Sequence, residues 1–447
     1  MRQFKSPFRN LGRILLALYD FPVSFTTTGR RRAGRIVISG IGCVTPLGNS
    51  RAELWDGFRN ARSGIRRISA FDPSPFAVQI AGEVRGIDPF EYFHMKERQH
   101  VSRAAALAIV AARQALDDAK LNPELLTVDE RRRIAVVLGS GGGGLEFTER
   151  QYAHWFRAQP KKASVYTIPT STIGTLSSEI SMAFRLHGAS HLISTGCTSS
   201  TDALFYACDA VGSRRADIVV TGGVDAPLAP GILAGFCLMR VLTESWNDRP
   251  ECGSRPFAKD RDGFVLGEGA WLYIVESESS AKARGAPIYA EVLGYGSTCD
   301  AYHRVRPDES GMEPARAMRL AIEDAGLSID DIDYVNLHGT STQLNDKIET
   351  RAVRRCFQQR ADRIPMSSTK SMVGHPQGAS GAAGISAVVF ALQENLIPPT
   401  LNLDLADPEC DLDYVPSRPR RAVVRYALAN CIGFGSKNSA VILGGVV

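Results

Sequence analysis

The sequence predicts an α/β protein in which helices cover both faces of its sheets. Three observations predict it: short β-branched runs recur along the chain, alanine-rich stretches with helical apolar spacing lie between several of them, and the two alternate. The ordered body begins at Arg35, where Ile36-Val37-Ile38-Ser39-Gly40 reads as a strand closed by a turn. Arg103 to Ala119 reads as a helix, and Ile134 to Leu138 as a buried strand that runs into a glycine cluster. Ile218 to Thr221, Trp271 to Val275, Tyr334 to Leu337 and Ala440 to Leu443 read as further core strands. Each half of the chain contains a strand, an alanine-rich helix and a reactive-looking residue at a strand end. That hints at duplication, although no sequence repeat is visible.

Charge and cysteine usage narrow the classes. The net charge is +5, but residues 1–35 hold eight basic residues against Asp20, or +7, which leaves about −2 for residues 36–447. A near-neutral body behind a basic tail argues against a nucleic-acid binder. The tail, residues 1–34, is expected to lack order, with a targeting or membrane-surface role as the alternative. Nine cysteines are scattered with no CxxC pair, which removes zinc-ligand spacing and suits a reducing compartment. No run of eighteen apolar residues occurs, so no integral membrane segment is expected.

The cluster Gly139-Ser140-Gly141-Gly142-Gly143-Gly144 satisfies GxGxxG after a strand. It sits far from the start of the ordered body, has no acidic residue about twenty positions on, and lacks Gly-Lys-Ser/Thr. It therefore reads as a turn where backbone passes close to something, and neither a dinucleotide site nor a P-loop.

Cys197 follows Gly196 and precedes the small polar residues Thr198-Ser199-Ser200-Thr201 that lead into a helix. A helix N-terminus favours the thiolate, the nucleophilic form, though the same setting alone also suits a structural cysteine. His338 ends an apolar strand in His-Gly-Thr-Ser-Thr, and His375 stands in Lys370-Ser-Met-Val-Gly-His-Pro. One thiol and two glycine-flanked imidazoles at strand ends supply a nucleophile and two polar donors or bases.

These segments, with Asn345-Asp346 and Gly433-Phe434-Gly435, resemble the elongating β-ketoacyl-acyl-carrier-protein synthases of the thiolase-like superfamily. The motifs stand in that family's order and separations, and the likeness runs from about Arg35 to Val447. The resemblance implies a duplicated α-β-α-β-α fold with two mixed five-stranded sheets. Residues 35–285 would form a half carrying the nucleophile and 286–447 a half carrying the histidines. It implies acyl transfer to Cys197, an oxyanion hole from the N–H groups of Cys197 and Phe434, and His338 with His375 holding a malonyl thioester as it loses carbon dioxide. Lys370 would orient His375, Thr340 and Thr342 would bond the phosphopantetheine arm, Phe236 and Gly142 would line the substrate pocket, and Asp346 would give support from behind. Lys96, Arg98 and Arg240 would meet an acidic acyl carrier protein.

No cofactor or metal of its own is expected, since phosphopantetheine arrives on the carrier. A homodimer in the cytoplasm is expected, or an organelle enzyme if the basic end is a transit peptide. The nearest alternatives are a polyketide ketosynthase subunit paired with a chain-length factor and, outside catalysis, an inactive chain-length-factor-like partner. Three departures stand out: Gly384 replaces the family's glutamate nine residues after the second histidine, Ser436-Lys437 replaces Gly-Thr after Gly-Phe-Gly, and Gly142 replaces a bulky aliphatic residue. The first removes support from Lys370, the second puts the stiffness of the Phe434 loop in question, and the third predicts a deeper pocket for long or polyketide-like chains.

Overall fold

A computed structural model describes residues 34–446. The N-terminal extension considered above lies outside the described residues.

Ten strands form one sheet. In chain order they are β1 (Ile36–Val44), β2 (Ile134–Gly139), β3 (Ser190–Ile193), β4 (Ile218–Asp225), β5 (Gly269–Ser277), β6 (Ala290–Cys299), β7 (Tyr334–Asn336), β8 (Met366–Ser367), β9 (Tyr426–Gly433) and β10 (Lys437–Gly444). Their spatial order is β3-β2-β4-β5-β1-β6-β10-β9-β7-β8. Strands β1 and β5, and β5 and β4, pair antiparallel, whereas β4 with β2 and β2 with β3 pair parallel. The second five repeat this: β6 with β10 and β10 with β9 antiparallel, β9 with β7 and β7 with β8 parallel. The duplication is therefore topological. The two mixed five-stranded halves join edge to edge through Val37 and Ile38 of β1 against Glu291 and Ala290 of β6, so hydrogen bonding is continuous between them.

The period-two alternation of a strand divides the apolar residues into layers. Ile134, Val136 and Leu138 point to one side of β2, into a cluster with helix α1 (Arg103–Asp118), while Ala135 and Val137 point to the other. On that other side two buried helices, α2 (Ser199–Gly212) and α5 (Ser380–Glu394), pack against residues of both halves. Helices α3 (Met312–Asp324) and α4 (Gln343–Phe357) cover the far face of the second half. The result is the five-layered α-β-α-β-α arrangement.

Close packing explains two glycine pairs. A Cβ on Gly42 of β1 would lie 1.9 Å from the Ala111 carbonyl oxygen of α1, and one on Gly296 of β6 would lie 2.1 Å from that of Ala317 in α3. Gly40 and Gly294 meet Ala115 and Ala321 in the same way. The first strand of each half thus admits an alanine-faced helix against bare backbone.

Candidate active site

The two central helices start side by side, and their starts build the site. Gly196, at φ +70°, turns the chain so that Cys197 stands just ahead of α2. The Thr195 and Thr198 hydroxyls both donate to the carboxylate of Asp202, at 2.5 and 3.2 Å, and Tyr295 on β6 donates to it at 2.7 Å. This fixes the turn to both halves of the sheet. His375 precedes α5 after Gly374 at φ +75°, and its own amide donates to the Val265 carbonyl at 2.7 Å. His338 follows β7, where Glu349 of α4 accepts its amide and that of Gly339, each at 2.7 Å.

These turns bring the three expected residues together. Cys197, His338 and His375 are 6%, 2% and 4% exposed, and one ligand-type atom from each lies within 4.8 Å of the others. The Cys197 sulfur is 3.5 Å from Nε2 of His375, and the two imidazole rings are 5.3 Å apart at 87°. The Gln377 amide donates to Nδ1 of His375 at 3.1 Å, which places the hydrogen of the neutral ring on Nε2, toward the sulfur. Burial, reinforced by the Lys370 charge, holds both histidines well below the usual imidazole range.

Burial also pushes the Cys197 thiol up to about 11, against the opposing pull of the Phe434 amide, the Lys370 charge and its own amide. Desolvation is the larger influence and opposes the pull that a helix start exerts toward the thiolate. The amides of Phe434 and Cys197, which pull the thiol down, are the pair expected to form the oxyanion hole.

The remaining expected residues divide into wall, support and surface. Lys370 is 6% exposed and makes no ion pair among the described residues; burial lowers its pKa, against the nearby Cys431, Glu349 and Cys197. Asp346 accepts the amides of Phe257 and Thr340 at 2.8 and 3.0 Å. The Thr340 and Thr342 hydroxyls bond one another at 3.0 Å, and Thr342 caps α4. Phe236 lies edge-on to Phe264 at 5.7 Å, and Phe264 lies 5.0 Å from the His375 ring. Phe434 joins the same apolar cluster.

Gly142 donates its amide to Asp225 at 2.9 Å, and a Cβ there would meet Leu145 at 3.2 Å. Lys96 and Arg240 are exposed, and Arg98 pairs with Asp88 at 3.1 Å beside a recess of about 370 Å³.

The departures have physical counterparts. At Gly384 a Cβ would lie 2.7 Å from Oδ1 of Asn336, so an asparagine side chain occupies the room in front of it. Ser436 stiffens the Phe434 loop: its hydroxyl donates to the His303 carbonyl at 2.9 Å and accepts the amides of Tyr302 and His303 at 3.3 and 3.2 Å.

Sequence reasoning missed Glu349, Asp202 and Asp225. Asp225 accepts the amides of Gly141 and Gly378 at 2.7 Å each and the Ser140 hydroxyl at 2.7 Å, clamping the glycine loop to the turn after His375. That is the close approach the glycines serve, since a Cβ on Gly378 would lie 2.1 Å from the Gly141 nitrogen. A signal existed for Glu349: it stands three residues after Asp346 on α4, so both carboxylates share the face toward the His338 loop.

Residues 33–281 match the N-terminal domain model of β-ketoacyl synthases, and residues 289–404 match the C-terminal one. The chain belongs to the β-ketoacyl synthase family. It is 41% identical over 404 residues to a 3-oxoacyl-[acyl-carrier-protein] synthase 2 of Synechocystis sp., covering 90% of this chain and 96% of that one. The corresponding protein of Coxiella burnetii is 38% identical over 409 residues, covering 92% and 98%. Among solved structures, the ishigamide ketosynthase/chain length factor superposes with TM-score 0.84 at 34% identity, and a β-ketoacyl synthase from Burkholderia phymatum with TM-score 0.84 at 32%; each comparison covers 93% of this chain and all of the other. Among the described residues no helix is long and apolar enough to cross a membrane.

Proposed function

We propose that this chain is a 3-oxoacyl-[acyl-carrier-protein] synthase that lengthens an acyl chain by two carbons. The observation that carries the reading is the buried sulfur of Cys197, 3.5 Å from an imidazole Nε2, with a second imidazole beside it.

Cys197 attacks the acyl thioester. Its Sγ–carbon bond forms, the bond to the carrier sulfur breaks, and the thiol proton leaves on the carrier thiol. The amides of Cys197 and Phe434 receive the oxyanion, each donor contributing about 3 kcal/mol. A malonyl thioester then binds with its carbonyl against His338 and His375. Loss of carbon dioxide leaves the electron pair on an enolate that the two imidazole N–H groups stabilise; this carbon attacks the acyl group, the Sγ–carbon bond breaks, and the released thiolate of Cys197 takes up a proton from water. Neutral imidazoles suit that role, because each keeps one N–H to donate. Lys370 acts through its charge on the two rings. Thr340 and Thr342 stand at the phosphopantetheine arm, Phe236 and Gly142 at the acyl chain, and Asp346 behind the Thr340 turn. The chain needs no resident cofactor for these steps.

The carrier docks at Lys96, Arg98 and Arg240. A second copy of the chain covers the edge strand β3. The helices Leu145–Phe156 and Thr167–Ser171, which precede that strand in the chain, expose Trp155, Phe156 and Ile168 at 59, 87 and 67%, apolar surface that a second copy would cover. A polyketide ketosynthase paired with a chain-length factor is the second reading. The likeness to the ishigamide ketosynthase/chain length factor favours it.

Intact-mass analysis after incubation with acyl carrier thioesters of graded length, followed by malonyl carrier protein, tests both. An acyl adduct on Cys197 and a product longer by two carbons support the synthase. A chain that stays unacylated at Cys197 with every thioester refutes it.

A further inference from the structure

Cys431, on β9, is 1% exposed and places its sulfur between the two reactive elements. The sulfur lies 3.0 Å from the carbonyl oxygen of Cys197 and 3.5 Å from Nδ1 of His338. Among the described residues it is the only hydrogen-bond partner of that nitrogen.

A neutral imidazole carries one hydrogen, and the partner of one ring nitrogen decides which nitrogen holds it. At His375 the decision falls to a fixed backbone donor, the Gln377 amide. His338 has no such amide and has a thiol instead. Burial holds that thiol well above its ordinary range, so it keeps its hydrogen. The hydrogen faces two acceptors: the Cys197 carbonyl, to which the thiol donates at 3.0 Å, and Nδ1 of His338 at 3.5 Å. Sulfur is in turn a poor acceptor, so an N–H spent on it would be wasted.

Resting on the synthase reading above, we propose that Cys431 is a positioning residue for His338. Its S–H, shared between the Cys197 carbonyl and Nδ1, keeps the imidazole hydrogen on Nε2, the nitrogen on the side away from Cys431. Both histidines then offer Nε2–H to the malonyl carbonyl, one through an amide and the other through a thiol. Because the same sulfur touches the Cys197 carbonyl, the nucleophile and the decarboxylating ring are held to one point on β9.

The test compares the full chain with Cys431→Ala and Cys431→Ser in two half-reactions: acyl transfer to Cys197 by intact mass, and carbon dioxide release from malonyl carrier protein. Histidine-selective ¹⁵N NMR reads the His338 tautomer in each. Cys431→Ala should lower decarboxylation at least about tenfold more than acyl transfer. It should also move the His338 hydrogen off Nε2 in part of the population. The serine hydroxyl should restore both. Equal loss in the two half-reactions with an unchanged tautomer, or no loss at all, overturns the role of Cys431. A wild-type chain that never acylates Cys197 overturns the synthase reading instead, and the NMR comparison still decides the tautomer question.

Discussion

Glu349 holds the His338 loop by accepting the His338 amide on Oε1 and the adjacent Gly339 amide on Oε2, each at 2.7 Å. Asn430 on β9 donates to the same Oε1 at 2.6 Å. Burial pushes the Glu349 carboxyl up to about 7, against these three donors. Glu349→Gln turns one oxygen into an NH₂ that faces an N–H and leaves at least one buried donor unpaired. A loss of about 2 kcal/mol is expected by urea denaturation. Decarboxylation should fall further than acyl transfer, because His338 is the residue set loose.

Asp225 is the matching clamp on the other side. Asp225→Ala leaves the amides of Gly141, Gly142 and Gly378 and the Ser140 hydroxyl without their acceptor. A loss of about 3 kcal/mol or more should appear in the same denaturation experiment. Fast amide exchange confined to residues 140–144 and 376–379 would show where the loosening falls.

Much of this architecture could be read in the sequence, and the exceptions have reasons. The strands beginning at Ile36, Ile134, Ile218, Gly269, Tyr334 and Lys437 were legible because β-branched or apolar runs mark strands buried on both faces. Strand β6, Ala-Glu-Val-Leu-Gly-Tyr-Gly-Ser-Thr-Cys, alternates buried with less buried residues and contains two glycines, which mask it. Those glycines were also the best trace of duplication, since Gly40 and Gly42 in β1 answer Gly294 and Gly296 in β6. Cys197, His338 and His375 were legible because each sits in a small-residue turn at the end of an element. Asp225 and Cys431 were not, because their partners lie 153 and 93 residues away, and the fold alone brings them near.

The room before Gly384 makes a reciprocal prediction. Gly384→Glu would drive its side chain into Oδ1 of Asn336, whose amide is tied to Tyr334 at 3.0 Å. A cost of about 2 kcal/mol is expected, relieved by combining it with Asn336→Ala. A double-mutant cycle in thermal denaturation measures the coupling, and additive effects would show that the two side chains do not compete for one space.

Reactivity of Cys197 should follow pH. With the thiol near 11 and both histidines neutral, the thiolate fraction rises tenfold per unit as pH increases from 6 to 9. Iodoacetamide labelling of Cys197, followed by peptide mass spectrometry, should track that slope without a break between pH 6 and 7. A thiolate–imidazolium pair would give a flat profile over the same range.

The most direct measurement separates the two half-reactions in His338→Ala and His375→Ala. Each variant should still take an acyl group from its carrier thioester onto Cys197, seen as a mass increase. Carbon dioxide release from labelled malonyl carrier protein should fall by about 100-fold in both, as expected when a donor to the developing oxyanion is removed. Decarboxylation at the wild-type rate in either variant would contradict the account.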